Sequence, residues 1–276
     1  MTMTFFLHDS INPNGAYDFI DPTDYQTNGA GEPAKEEFHI LREKLKIPNT
    51  EGFIGRPRIT AHLSNSMSQF PATLISGWAG TGKTALAASF AALHKNVSWY
   101  SVESTDFAWT VFSRYFSASL SGTICEGSFA SGLSEQERDA SQSEIARFLA
   151  EHFPRTDSTP TAEPSLIVLD DIHHIFDAAW FDDFFNLLLY SLPNECHLLL
   201  LCRSKPPSPL WRLRSKQMLN VMDETVIAFN IAETEALFKS LGLSTFSAKE
   251  AHRESFGRVS KLLQFASERS AILPPS

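Results

Sequence analysis

The chain has 276 residues, 43% of them hydrophobic and 22 of them phenylalanine, enough for one large domain or for a domain with a small appendage. Its 23 basic and 32 acidic residues give a net charge of −9, which makes the surface as a whole a poor match to a nucleic-acid backbone. Cys125, Cys196 and Cys202 have no metal-ligand spacing, no apolar run approaches a membrane span, and residues 1–20 lack the basic start and apolar run of an export signal, so a cytoplasmic protein with reduced thiols is expected.

Residues 1–52 are expected to form an N-terminal arm. Turn-forming Asn, Asp, Gly and Pro dominate 1–33, and a short charged helix over 34–46 carries Phe38, Leu41 and Leu45 at helical spacing, with Pro48 beyond its end. Pro57 opens a helix over about 57–67. The basic segment holding Arg56 and Arg58 suits either an ordinary surface helix or a cover for the base of a bound nucleotide.

Thr73–Ser76 reads as a buried strand, and the alanine-rich run from Ala85 to Leu93 as a helix. Between them stands Gly77-Trp78-Ala79-Gly80-Thr81-Gly82-Lys83-Thr84, with the Gly-x-x-x-x-Gly-Lys-Thr spacing of a phosphate-binding loop. Glycine lets the backbone curl so that successive amides, with those of the first helical turn through Ala85, converge on phosphate oxygens. Lys83 then reaches the outer phosphates, and the Thr84 hydroxyl is offered to magnesium.

Asn96–Val102 is a second strand. Asp106 serves either as the N-cap of a helix over 106–120 or, with Glu103, as an acid positioning water or magnesium; the cap is the expected role. Ser134 with Glu137 forms a capping box for a helix over about 135–152 with Ile145, Phe148 and Leu149 inward. Ser165–Asp171 is a doubly buried strand ending in two carboxylates. Behind a phosphate-binding loop, that arrangement gives Asp170 to magnesium and Asp171 to the attacking water. His173 and His174 lack a third ligand at sensible spacing. An apolar helix covers 178–192.

His197–Cys202 is a fourth strand, and Arg203 at its end is placed to sense a terminal phosphate, or else is simply solvated. Residues 205–210 form a stiff connection before the basic Arg212, Arg214 and Lys216. Gln217–Met222 is a fifth strand. Three helices follow, the first capped by Asn230 and Glu233, the second by Ser247 and Glu250, the third over 259–267. The expected fold is therefore α/β, a P-loop NTPase with a parallel five-stranded sheet flanked by helices. Residues 53–224 make the nucleotide-binding domain and 225–276 a small C-terminal helical subdomain.

The motif order resembles that of the P-loop ATPases with a strand inserted between the glycine-bearing and acid-bearing strands, the AAA+/STAND side of the superfamily. Gly55–Ile59, Val97–Glu103 with Asp106, Leu166–His173, Leu200–Pro207 with Leu210–Arg214, and more loosely Phe256–Leu262, resemble the maltose-regulator type of STAND ATPase, the large LuxR-type transcriptional activators. The resemblance covers about 53–269. It implies an ATP/ADP-governed switch with slow hydrolysis, self-association in the ATP state, and an inducer or partner protein. Lys83, Asp171 and Arg203 would be the catalytic groups, Gly77 to Ala85 with Arg56 and Arg203 the nucleotide site, and Thr84 with Asp170 the magnesium site. Such regulators carry further sensor and DNA-binding modules, which this sequence does not extend into, so either a fragment of a longer regulator or a stand-alone ATPase is expected, without direct nucleic-acid binding. An ATP-dependent small-molecule kinase is the alternative, with 205–216 as its lid.

Overall fold

Two runs of four consecutive apolar residues, Leu166–Leu169 and Leu198–Leu201, lead to Asp170–Asp171 and to Arg203 at one edge of a sheet. The computed structural model describes residues 40–121, 140–154 and 165–272, with side chains through 269. Residues 1–39 of the predicted 1–52 arm, the Ser134–Glu137 box and Cys125 lie outside them.

In chain order the elements are α1 Pro57–Gln69, β1 Ala72–Ser76, α2 Lys83–Ala91, β2 Asn96–Ser101, α3 Trp109–Ser121, α4 Gln142–His152, β3 Ser165–Asp170, α5 Phe181–Ser191, β4 Cys196–Cys202, α6 Ser208–Ser215, β5 Leu219–Met222, α7 Glu224–Ile227, α8 Ile231–Ser240, α9 Thr245–Ser255 and α10 Val259–Ile272. The five strands are parallel in the order β2-β3-β4-β1-β5. β4 thus lies between the glycine-bearing β1 and the acid-bearing β3. A parallel sheet needs both faces covered. Trp109, Phe112, Phe116, Trp180 and Phe184 fill one face, and Ile59, Leu86, Phe90 and Trp99 the other. A third, separate cluster around Phe238, Ala248, Ala251 and Leu262 holds α8, α9 and α10 together.

Several elements differ from expectation. The described end of the predicted 34–46 helix is a single 3₁₀ turn, Arg42–Leu45. Lys44 points inward there and pairs with Asp106 at 2.7 Å. Asp106 is accordingly no helix N-cap; it is fully buried, closes a capping box with Glu103 in a separate 3₁₀ turn, and α3 begins at Trp109. α4 starts at Gln142, capped reciprocally by Ser141 and Glu144. α5 starts at Phe181, after a turn over 172–175. α9 is capped by Ser244 rather than Ser247. The expected stiff connection passes into α6, whose Leu210 and Leu213 are buried in the core.

Below the sheet, His197 is buried as a neutral imidazole. Its Nδ1 lies 2.9 Å from the Phe70 carbonyl and its Nε2 2.9 Å from Thr73 Oγ1, which reaches Ser66 Oγ at 2.6 Å. Burial depresses its pKa to about 4. The unfolded chain takes up this proton near 6.5, so stability falls as pH drops from about 6.5 towards 4, by up to about 3 kcal/mol. His197→Gln is expected to remove that component, and urea unfolding of both proteins at pH 7 and pH 4.5 measures it. Parallel pH profiles would refute the assignment.

Candidate nucleotide site

At the C-terminal edge of the sheet, β1, β3 and β4 deliver their polar ends side by side. Gly77 N donates to the Cys202 carbonyl at 3.3 Å and Ser76 Oγ to Ser204 O at 3.1 Å, so the glycine loop and Arg203 leave neighbouring strands at the same level. Gly80 and Gly82 have φ of +75° and +84°, which glycine alone adopts without strain. Both also face α10: a Cβ on Gly80 would lie 2.7 Å from Ser260 Oγ, and one on Gly82 3.1 Å from Val259 Cγ1.

Lys83 begins α2 and folds back over the loop, donating to the carbonyls of Gly77 at 2.6 Å and Trp78 at 3.1 Å. Burial draws its ammonium below the usual lysine range, against the opposing pull of Asp171 and Asp170. Thr84 Oγ1 donates to Asp170 Oδ2 at 2.8 Å. Burial, with Asp171 beside it, pushes the Asp170 carboxyl up to about 6. A hydroxyl and a carboxylate in contact, one of them desolvated, form an oxygen donor pair that a divalent cation fits, since its charge favours the ionised carboxylate.

Asp171 sits in the left-handed region at φ 55°, one residue beyond β3. Arg203 grips it in fork geometry, Nε to Oδ1 at 2.9 Å and Nη2 to Oδ2 at 2.6 Å. The pair raises the arginine's pKa. His173 Nδ1 lies 3.7 Å from Asp171 Oδ1 and has no hydrogen-bond partner.

Beside the loop opens a cavity of about 320 Å³. Phe53, Ile54, Leu86, Phe229, Leu237 and Leu263 give it apolar walls, with Gly80, Gly82 and Ala85 of the loop and α2 at its mouth. Its size and lining suit a flat heteroaromatic ring. Arg56 belongs to this wall, but its guanidinium is committed: Nη2 donates to Glu233 Oε2 and to Ala228 O, each at 3.0 Å, and it lies over the Phe229 ring at 4.0 Å. Arg58 joins the same carboxylate at 3.1 Å. Trp78 stands on the opposite side of the loop, 65% exposed, in a separate cleft with Thr81, Phe256 and Lys261.

The C-terminal contribution was missed by sequence reasoning. Ser260 N donates to Gly80 O at 3.1 Å, and Arg258 Nη2 donates to Ala79 O at 2.6 Å. Phe229, Val259 and Leu263 complete the cavity. The available signal was Gly257 between two helical patterns, a glycine whose positive φ lets the chain double back onto the loop.

A glycine loop between strand and helix, an acid pair one strand away and an intervening strand define a P-loop ATPase. The AAA ATPase domain family model matches residues 53–201, and the chain belongs to that family. It is similar to the HTH-type transcriptional regulator MalT of Serratia proteamaculans (strain 568), 29% identical over 216 residues, which cover 77% of this chain and 23% of that protein. MalT of Yersinia pestis (strain Pestoides F) is 29% identical over 202 residues, 72% of this chain and 21% of that protein. The chain thus spans less than a quarter of the length of these relatives. Among solved structures, a Walker-type ATPase of Pyrococcus abyssi aligns with TM-score 0.49 and 13% identity, covering 79% of this chain and 69% of that one. The RuvB Holliday junction branch migration motor of Thermotoga maritima aligns with TM-score 0.42 and 16% identity, over 80% and 64%. Among the described residues no helix is long and apolar enough to cross a membrane.

Proposed function

We propose that this segment is an ATP/ADP-binding switch domain with slow hydrolysis, part of a transcriptional regulator of the maltose-regulator type. One observation supports it above the others: the start of α10 rests on the phosphate loop itself, through Ser260 N on Gly80 O and Arg258 on Ala79 O. Whatever fills or empties the loop therefore bears on the position of the C-terminal helices. Residues 53–224 act as the nucleotide-binding domain and 225–276 as the helical subdomain that responds.

In this reading the loop amides from Gly77 to Ala85 and the Lys83 ammonium hold the phosphates, while the apolar cavity takes the base. Thr84 and Asp170 hold magnesium, whose charge screens the phosphate oxygens. Asp171 orients the attacking water, and Arg203 reads the terminal phosphate. Slow turnover fits the grip of Arg203 on Asp171, which keeps the acid from the water until the pair separates. An inducer and self-association in the ATP state act on the helical subdomain, in the cytoplasm, while DNA contact belongs to another segment of the regulator.

Asp171→Asn is expected to retain ATP and ADP binding while slowing single-turnover hydrolysis at least about tenfold. An undiminished rate would assign the water to another group. Release and chromatography of nucleotide retained through purification tests the switch directly, with ADP as the expected occupant.

A further inference from the structure

The fork between Arg203 and Asp171 has a consequence for phosphate counting. Arg203 stands at the end of the strand between the loop strand and the acid strand, half exposed, and its side chain donates two hydrogen bonds to Asp171. Asp171 reaches it from a left-handed residue, so the backbone itself aims the carboxylate at β4. The carboxylate fills the Nε/Nη2 edge of the guanidinium, so a phosphate that approaches along that edge must displace Asp171.

We propose that Asp171 is a specificity-determining residue: it competes with the γ-phosphate for Arg203, and this exchange sets the preference between ATP and ADP. This rests on the nucleotide-switch reading and deepens it. A diphosphate does not extend to Arg203 and leaves the pair intact. A triphosphate takes the guanidinium and frees Asp171 in the same step, so recognition of the third phosphate and release of the acid towards water become one event. His173, whose unpartnered Nδ1 faces Asp171 Oδ1, is the neighbour left to hold the freed carboxylate.

The alternative is plain repulsion, in which Asp171 disfavours ATP through its negative charge without reference to Arg203. A double-mutant cycle separates the two. Affinities for ADP and for a non-hydrolysable ATP analogue with magnesium are measured by calorimetry for the wild-type chain, Asp171→Asn, Arg203→Ala and the double variant. Asparagine tolerates the left-handed backbone, so the fold is kept. With Arg203 present, Asp171→Asn is expected to raise the analogue-to-ADP affinity ratio by about three- to tenfold. With Arg203→Ala, the same change is expected to move the ratio less than about twofold. An equal gain in both backgrounds, or no gain in either, overturns the exchange. A wild-type chain that binds neither nucleotide overturns the site reading as well, whereas normal ADP binding without coupling removes the exchange alone.

Discussion

Lys83→Ala is expected to weaken ADP and ATP binding by at least about a hundredfold, equivalent to about 2.7 kcal/mol. The ammonium is held at the loop by two backbone carbonyls, and burial keeps solvent from screening its field, so a phosphate oxygen placed there meets a strong, fixed charge. The bonds lost in the protein are to loop carbonyls that water reaches once the side chain is shortened, so the unfolding midpoint is expected to move by only a few degrees. Calorimetric titration with each nucleotide measures the effect. Wild-type affinity in this variant would remove the phosphate-loop assignment and every role built on it.

Gly257→Ala is expected to destabilise the packing of α8, α9 and α10 by about 3 kcal/mol or more. Its φ is +75°, and an added Cβ would lie 2.1 Å from the Phe229 carbonyl oxygen and 2.9 Å from its nitrogen. Backbone cannot yield there as a flexible side chain would, because Phe229 N is itself bonded to Gly257 O at 2.9 Å. Gly242 supplies the control: it has φ +74° with nothing within 4 Å of an added Cβ, so Gly242→Ala carries backbone strain alone, about 1 kcal/mol. Since Phe229 and Val259 both line the cavity beside the loop, Gly257→Ala is also expected to weaken nucleotide binding. Equal shifts in unfolding midpoint for the two variants would refute the close-packing account.

The loop, the acid pair and the arginine were legible because each couples an unusual residue pattern to a buried strand, and the sheet needed all three strand ends at one edge. The caps were less legible. The box at Ser141-x-x-Glu144 has the same local chemistry as the one expected at Ser134-x-x-Glu137, which lies outside the described residues, and it opens a helix whose Ile145 and Leu149 are buried. Lys44 gave no sign of turning inward, since its partner Asp106 lies 62 residues on and only the fold brings them together. The contact of Arg258 with Ala79 spans 179 residues and carries no local pattern at either end.

That last contact bears on where the working unit stops. The family match closes at residue 201, and every phosphate-facing motif lies before residue 204. A chain cut just after β5 would retain each of those motifs and satisfy any inspection of them. It would also lose Phe229, Leu237 and Leu263 from the base cavity, and leave the outward carbonyls of Ala79 and Gly80 facing water. On the proposed reading, the smallest piece expected to hold a nucleotide is longer than the stretch that carries the motifs.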